Sequence, residues 1–400
     1  MRTANFYGQC LAASIVLGLG AIPSVHAQSG EFPRVLVPLD AEAASLFGSD
    51  IEIDDGLVVV GAFGGNAGEV DCGTAYVFEA ESGKQLYKLV PPEPREWLGF
   101  GWSVAIGSGI VAVGAIHDDG NADHSGAVYL FDAKTGELRH KIFPDDGRPH
   151  DEFGLCLAID GDLVAVSHGF HSESRDYAGA VYLFDLTTGE QVHKLSNPNC
   201  NSRNYFGRAI DLSEGILVVG DPDESDGSGA AYVFNTETGT LLQTLHSRTR
   251  EKDERFGWSV GISGDLIAVG SPFSNARLPS AGFTELFDCQ TGDAYWELIP
   301  NDAVERYGSG KAVAIENNTV IVGAPRVPYG CIVDREPPGA VYLFDADTGL
   351  EGLKLSNSAQ RIGDSFGAEV AIDRGLLVVA GNSLRMATAD RPNVFVYDLR

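Results

Sequence analysis

The chain has 400 residues, 44% of them hydrophobic and 21% charged, a composition that supports a large buried core and excludes a wholly disordered chain. Its 56 Asp and Glu against 28 Lys and Arg leave a formal charge of -28, which repels phosphate backbones and anionic lipid and argues against nucleic-acid partners. The 49 glycines, 2 methionines and short runs of Val, Ile, Tyr and Phe favour many short strands joined by turns.

Residues 1–27 read as a secretory signal, with Arg2, an apolar stretch from Leu11 to Ile22, and Val25-His26-Ala27 placing small residues before the predicted cut. No later segment is apolar for long enough to cross a bilayer, so residues 28–400 are expected to be exported, extracellular or periplasmic, without membrane insertion. Cys10 lacks the neighbours that lipid attachment requires.

The remainder repeats. Phe-Gly pairs stand at Phe47-Gly48, Phe100-Gly101, Phe153-Gly154, Phe206-Gly207, Phe256-Gly257 and Phe366-Gly367. Fourteen residues after each Phe, an apolar run ends on a small residue: Gly61, Gly114, Ser167, Gly220, Gly270 and Ala380. Counting back from Gly323 gives a further copy at Ser309-Gly310, where Tyr307 is expected to supply the missing ring. Each copy continues with a third run such as GAVYLF (Gly126 to Phe131), a turn such as DAKTGE (Asp132 to Glu137), and a fourth run. Equivalent aromatics at Phe78, Phe131, Phe184, Phe234, Phe287, Phe344 and Tyr397 recur every 50 to 57 residues.

Four short strands per unit, seven times over, predict an all-β fold: a seven-bladed β-propeller of four-stranded antiparallel blades. In Val104-Ala105-Ile106 and Val260-Gly261-Ile262 the alternation places large residues toward one neighbouring blade and small ones toward the other. The last copy stops at Asp398-Leu399-Arg400, after its third run, while Ser29-Gly30, Leu36 and Val37-Pro38 repeat Ser82-Gly83, Leu89 and Val90-Pro91 at an offset of 53. Residues 33–38 are therefore expected to pair with the strand at Val394 to Tyr397 and close the ring, covering an edge prone to aggregation. Residues 28–400 form one domain on this reading.

FGWSVAI (Phe100 to Ile106), LVVVGAF (Leu57 to Phe63), IVGAP (Ile321 to Pro325) and GAVYLF together resemble the FG-GAP repeats of integrin α-subunit propellers and of their bacterial secreted relatives. The resemblance spans residues 29–400 and implies adhesion, or binding of protein or glycan. Integrin-type repeats often hold calcium between their first two strands. Here that connection is as short as Asp54-Asp55-Gly56 or Ser108-Gly109, so those sites are not carried over.

Two other loops are acidic: Asp118, Asp119, Asn121 and Asp123 in one, Asp221, Asp223 and Asp226 in the other. They are the candidate calcium ligands of the chain, but Asp, Asn and Gly are also ordinary turn formers, and the solvated-turn reading takes precedence. No metal or other cofactor is assigned. His168 and His171, with Glu173 and Asp176 nearby, fall short of a zinc site and read as loop histidines. Trp102 and Trp258 each follow a Phe-Gly pair; packing between blades is preferred for them over stacking on a sugar at the channel mouth. Of the cysteines beyond residue 27, Cys156 reads as a buried apolar residue and Cys72, Cys200, Cys289 and Cys331 as loop residues, with a Cys72–Cys331 disulfide only where those loops meet.

No HExxH or phosphate-cradling loop occurs, and catalysis is not expected. The leading expectation is a monomeric, non-catalytic binding or adhesion-like propeller. It would engage extracellular protein or carbohydrate through the loops between second and third strands and between successive blades, on one face. An enzyme built from acids converging across blades is the first alternative. A quinone-cofactor protein is another, because the Asp132 to Glu137 and Asp185 to Glu190 turns resemble quinoprotein repeats, although only Trp296 sits near the expected tryptophan and the copies number seven where eight is usual. A structural module of an extracellular assembly is the third.

Overall fold

A computed structural model describes residues 33–40, 45–169, 179–199, 205–325, 339–356, 365–381 and 394–400. The predicted signal segment, His171, Glu173, Asp176, Cys200 and Cys331 lie outside them.

Two kinds of turn build each blade. The first two strands are joined by a two-residue turn, with both residues at positive φ in blades one, two, four and seven, as at Asp55-Gly56 and Ser108-Gly109, which matches the twist of a tight hairpin. In blades two, three, five and six the third and fourth strands are joined by a D-x-x-T-G turn. There Asp132 Oδ1 accepts hydrogen bonds from the backbone of Lys134 at 3.0 Å and Thr135 at 2.8 Å, and the carbonyl of Asp132 accepts from Gly136 N at 2.8 Å. The turn is closed on itself.

Seven four-stranded antiparallel sheets result. Blade one runs Ile51–Asp54, Leu57–Ala62, Thr74–Glu79, Gln85–Leu89, and blade two Phe100–Gly107, Ile110–Ala115, Ala127–Asp132, Leu138–Ile142. Blade three comprises Phe153–Asp160, Leu163–His168, Ala180–Asp185, Gln191–Ser196, and blade four Ala209–Ser213, Ile216–Asp221, Ala230–Asn235, Leu241–Leu245. Blade five is Ser259–Ser263, Leu266–Ser271, Phe283–Asp288, Ala294–Leu298, and blade six Ala312–Glu316, Thr319–Ala324, Ala340–Asp345, Glu351–Leu355. Blade seven takes Phe366–Asp373, Leu376–Gly381 and Val394–Asp398 from the end of the chain and Arg34–Leu36 from its start. Arg34 pairs with Val396, Val35 with Phe395 and Leu36 with Val394, so the predicted closure is present.

Second and third strands are buried on both faces because each sheet is sandwiched between two others. Seven apolar clusters lie among the described residues, one at each blade-to-blade interface. Val104 and Ile106 belong to the cluster shared with blade one and Ala105 to the one shared with blade three, as the alternation predicts. The repeat phenylalanines pack edge-on against a third-strand tyrosine, Phe100 on Tyr129 at 5.4 Å and Phe206 on Tyr232 at 5.6 Å. In blade six Tyr307 does the same to Tyr342 at 6.0 Å and supplies the missing ring.

The glycines of the repeat mark where blades touch through backbone. A Cβ on Gly114 would meet the Gly154 carbonyl oxygen at 2.4 Å, and one on Gly126 the Phe153 carbonyl oxygen at 2.2 Å.

Candidate functional site at the channel mouth

The connections between second and third strands and those between blades meet on one face. Trp97 N donates to the Asp71 carbonyl at 2.8 Å, His150 N to Asp123 at 3.0 Å and Arg306 N to Pro279 at 2.8 Å, each bond joining one connection of each kind. The innermost strands start on this face, so the residues just after each Phe-Gly pair ring the mouth of the central channel.

Trp102, Arg208, Trp258 and Lys311 occupy one level of that ring and are half-buried. The Arg208 guanidinium lies 4.6 Å, and the Lys311 ammonium 4.0 Å, from the Trp258 ring centre, so one indole on blade five faces cations from blades four and six. Phe273 meets Trp258 edge-on at 5.1 Å, and Phe63 lies 4.7 Å from Trp102. Both tryptophans therefore pack between blades, as expected, Trp258 against side chains of blades four and six and Trp102 against Phe63 of blade one, but outside the seven apolar clusters. The innermost strand presents its edge to the channel, and the position two residues after Phe falls beyond the apolar layers.

One residue further along stand Asp50, Cys156 and Glu369, also half-buried. The mouth is therefore polarised: Arg208, Trp258 and Lys311 form a basic and aromatic arc over blades four to six, with Glu369 and Asp50 on blades seven and one. Burial pushes the Lys311 ammonium well below its ordinary range, helped by the nearby Arg208 charge and opposed by Glu369. Burial likewise raises Glu369, with the Asp50 charge adding to it and Lys311 and Arg208 opposing. Burial raises Asp50 too, against hydrogen bonds from the backbone of Val104 and Ile51.

Deeper in the channel the corresponding positions are mostly Ala or Gly, as at Ala105 and Gly261, with two exceptions. Glu52 is pushed up to about 8 by burial and by the charges of Asp211, Asp50 and Asp54. Asp211 is pushed up to about 6 by burial, against bonds from Ile262 and Leu212.

Several of these side chains brace the ring. An innermost strand has one edge without a partner strand, and side chains from the preceding blade satisfy part of it. Asp50 Oδ2 accepts from Val104 N at 2.7 Å, Asp211 Oδ2 from Ile262 N at 2.8 Å, and Asp373 Oδ2 from Asp55 N at 2.9 Å across the closure. Ser103 and Ser259 hydroxyls donate to the carbonyls of Gly154 and Gly310 at 2.7 and 2.8 Å. Among the described residues the side chains of Arg208, Lys311 and Glu369 make no such bond, which leaves them free to meet a ligand.

The acidic loops do different things. Asp118 is buried and accepts from Tyr129 Oη at 2.6 Å, Lys141 Nζ at 2.7 Å and Gly120 N at 2.8 Å. Asp119 pairs with Arg95, and its ligand atoms lie within 4.8 Å of those of Asp123 and His124 at the surface. Asp221 is buried on Asn197 at 2.7 Å, Asp223 pairs with Arg255, and Asp226 is exposed. Hence neither loop directs all its carboxylates to one point.

His168 is not a loop residue. It ends the second strand of blade three, fully buried, with Nε2 3.1 Å from Asp151 Oδ2. Cys72 and Cys289 sit on connections, as expected, with buried thiols. Cys156 packs against the apolar cluster between blades three and four but is only half-buried, its thiol donating to the Arg208 carbonyl at 3.1 Å and pushed up to about 11 by burial.

The sequence reading passed over Asp50, Glu52, Asp211 and Glu369. The signal was available: at three and five residues after Phe most copies carry Ser, Ala or Gly, and a charge there departs from the repeat.

Blade number, strand order and the two-ended closure define the class, a seven-bladed β-propeller with its long loops on one face. Residues 34–78, 84–131, 137–184 and 190–234 each match the FG-GAP repeat family model. No curated protein matches the sequence. The chain belongs to the FG-GAP repeat proteins, and blades five to seven continue the same register.

Proposed function

We propose that this protein is an exported, non-catalytic binding propeller that engages an extracellular protein or carbohydrate through its loop face, with the channel mouth as the centre of contact. The observation that carries this reading is Trp258, a half-buried indole held between Arg208 and Lys311 where the innermost strands begin. A large aromatic face beside unpaired cations suits a sugar ring bearing a carboxylate, or an acidic peptide side chain, because stacking and charge act together. A rigid scaffold under variable loops keeps the ordering cost of such binding low.

The test is a carbohydrate microarray containing neutral, uronic-acid and sialylated glycans, probed with purified protein and read beside native extracellular proteins captured on the same scaffold. Binding that falls at least tenfold in Trp258→Ala with an unchanged melting temperature supports the reading. Ligands retained at full strength by a Trp102→Ala, Trp258→Ala, Lys311→Ala triple variant would refute the mouth as the contact.

A further inference from the structure

Blade five carries oxygen-bearing side chains at three registered positions. Two residues before its Phe stands Glu254, fifteen after it Ser271, and twenty-nine after it, where blades one to three carry Tyr76, Tyr129 and Tyr182, stands Glu285. The repeat shows that these positions meet. In blade three the first two are Asp151 and His168, 3.1 Å apart, and the ring of His168 lies 5.8 Å from that of Tyr182. In blade six the first and third are Tyr307 and Tyr342, whose hydroxyls are 2.8 Å apart.

Glu254, Ser271 and Glu285 are all at 0% exposure. Thr249 Oγ1 donates to Glu254 Oε2, and the Arg248 backbone N donates to Glu285 Oε2 at 3.2 Å. Among the described residues Glu254 Oε1, Glu285 Oε1 and Ser271 Oγ have no hydrogen-bond partner. Among the described residues the cation paired here is Arg248, whose side chain is 48% exposed and whose Nε reaches Glu285 Oε1 at 3.5 Å while its Nη2 is held by the Ala294 carbonyl. One half-exposed guanidinium pairs with one of the two buried carboxylates, and an uncompensated buried charge is heavily penalised. Burial raises both carboxyls, Glu285 to about 7 against the backbone bond and the charge of Arg248.

We propose that Glu254, Glu285 and Ser271 form a binding site for a hard divalent cation of the calcium class, between blades four and five and separate from the channel mouth. The donor set is all oxygen, two carboxylates and a hydroxyl, which selects calcium-like ions over thiolate- or imidazole-preferring metals. Backbone carbonyls and water complete the roughly six to eight oxygens such an ion takes. Where other blades fill this space with a tyrosine ring, blade five fills it with a coordinated ion.

The experiment uses protein stripped with a chelator and desalted, titrated with calcium chloride at neutral pH by calorimetry and by thermal melting. The expected result is one calcium per chain at this site and a rise in melting temperature of about 3 °C at a hundredfold excess over the dissociation constant. Glu285→Tyr, which restores the residue of the sibling blades, removes both responses, and Glu254→Gln does so where the tyrosine variant fails to fold. Asp119→Asn with Asp123→Asn keeps them. Folded wild-type protein that gives neither heat nor shift with calcium, magnesium or manganese overturns the proposal, as does a response that survives Glu285→Tyr or vanishes only in the Asp119, Asp123 variant.

Discussion

Gly220 in blade four and Gly257 in blade five touch through their backbones: a Cβ on Gly220 would lie 2.1 Å from the Gly257 carbonyl oxygen. The same approach joins Gly61 to Gly101 at 2.3 Å and Gly270 to Gly310 at 2.1 Å. The two glycine positions of the repeat are thus one contact seen from two blades. Gly220→Ala should cost about 3 kcal/mol or more, since neither backbone can retreat without moving a sheet. Gly109→Ala, with φ +76 and nothing within 4 Å, should cost about 1 kcal/mol from conformation alone. Urea unfolding of the two variants checks the order.

Closure makes a second prediction. Leu36 is fully buried in the cluster that joins blades one and seven, and Leu36→Ala should cost about 2–5 kcal/mol. Deleting residues 33–38 should go further, baring the edge of Val394–Asp398 and producing dimers or larger species, read by size exclusion with light scattering.

The channel acids predict a pH dependence. Glu52 binds its proton more tightly folded, near 8, than unfolded, near 4.5, so the folded state holds more protons between those values and stability falls as pH rises through them. Asp211 acts in the same direction between about 4 and 6. Glu52→Gln should therefore melt above wild type at pH 8 by an amount on the order of 1–2 kcal/mol, once solvent in the channel is allowed for, and match it at pH 4. Equal melting temperatures for the two proteins across that range would show that Glu52 titrates normally.

The mouth residues and the core residues should separate cleanly by stability. Trp258→Ala removes two cation–ring contacts outside the apolar clusters and should cost no more than about 2 kcal/mol, whereas Phe256→Ala, two positions earlier and fully buried, should cost about 3–5 kcal/mol. Thermal melts of the purified variants decide this.

Fold and site were legible to different degrees because they are written differently. Seven registered copies of an apolar run, a turn and an aromatic residue specify strands, faces and even the swap of Tyr307 for a missing phenylalanine, since each copy repeats one set of local contacts. The meeting of Arg208, Trp258 and Lys311 is not local: each belongs to a different blade, and only closure of the ring brings them together. Residue size points to the interblade packing of Trp102 and Trp258, but it is silent about where a strand turns its edge to the channel, so their place at the mouth is not legible. His168 reads as a loop residue because the apolar run ends at Ser167, whereas the strand continues one residue further and sets the ring against Asp151.

Arg34 faces Val396 and Leu36 faces Val394, so the two outgoing ends of the chain leave the same end of one antiparallel pair. Tension applied between them is carried by a single rung at a time, and the seam parts in unzipping geometry, starting at Arg34, without loading the rungs in parallel as shear would. Any tether, fusion or anchor that pulls on both ends therefore acts on the weakest mechanical direction of the ring, whereas one that pulls between a terminus and an interior turn engages whole sheets.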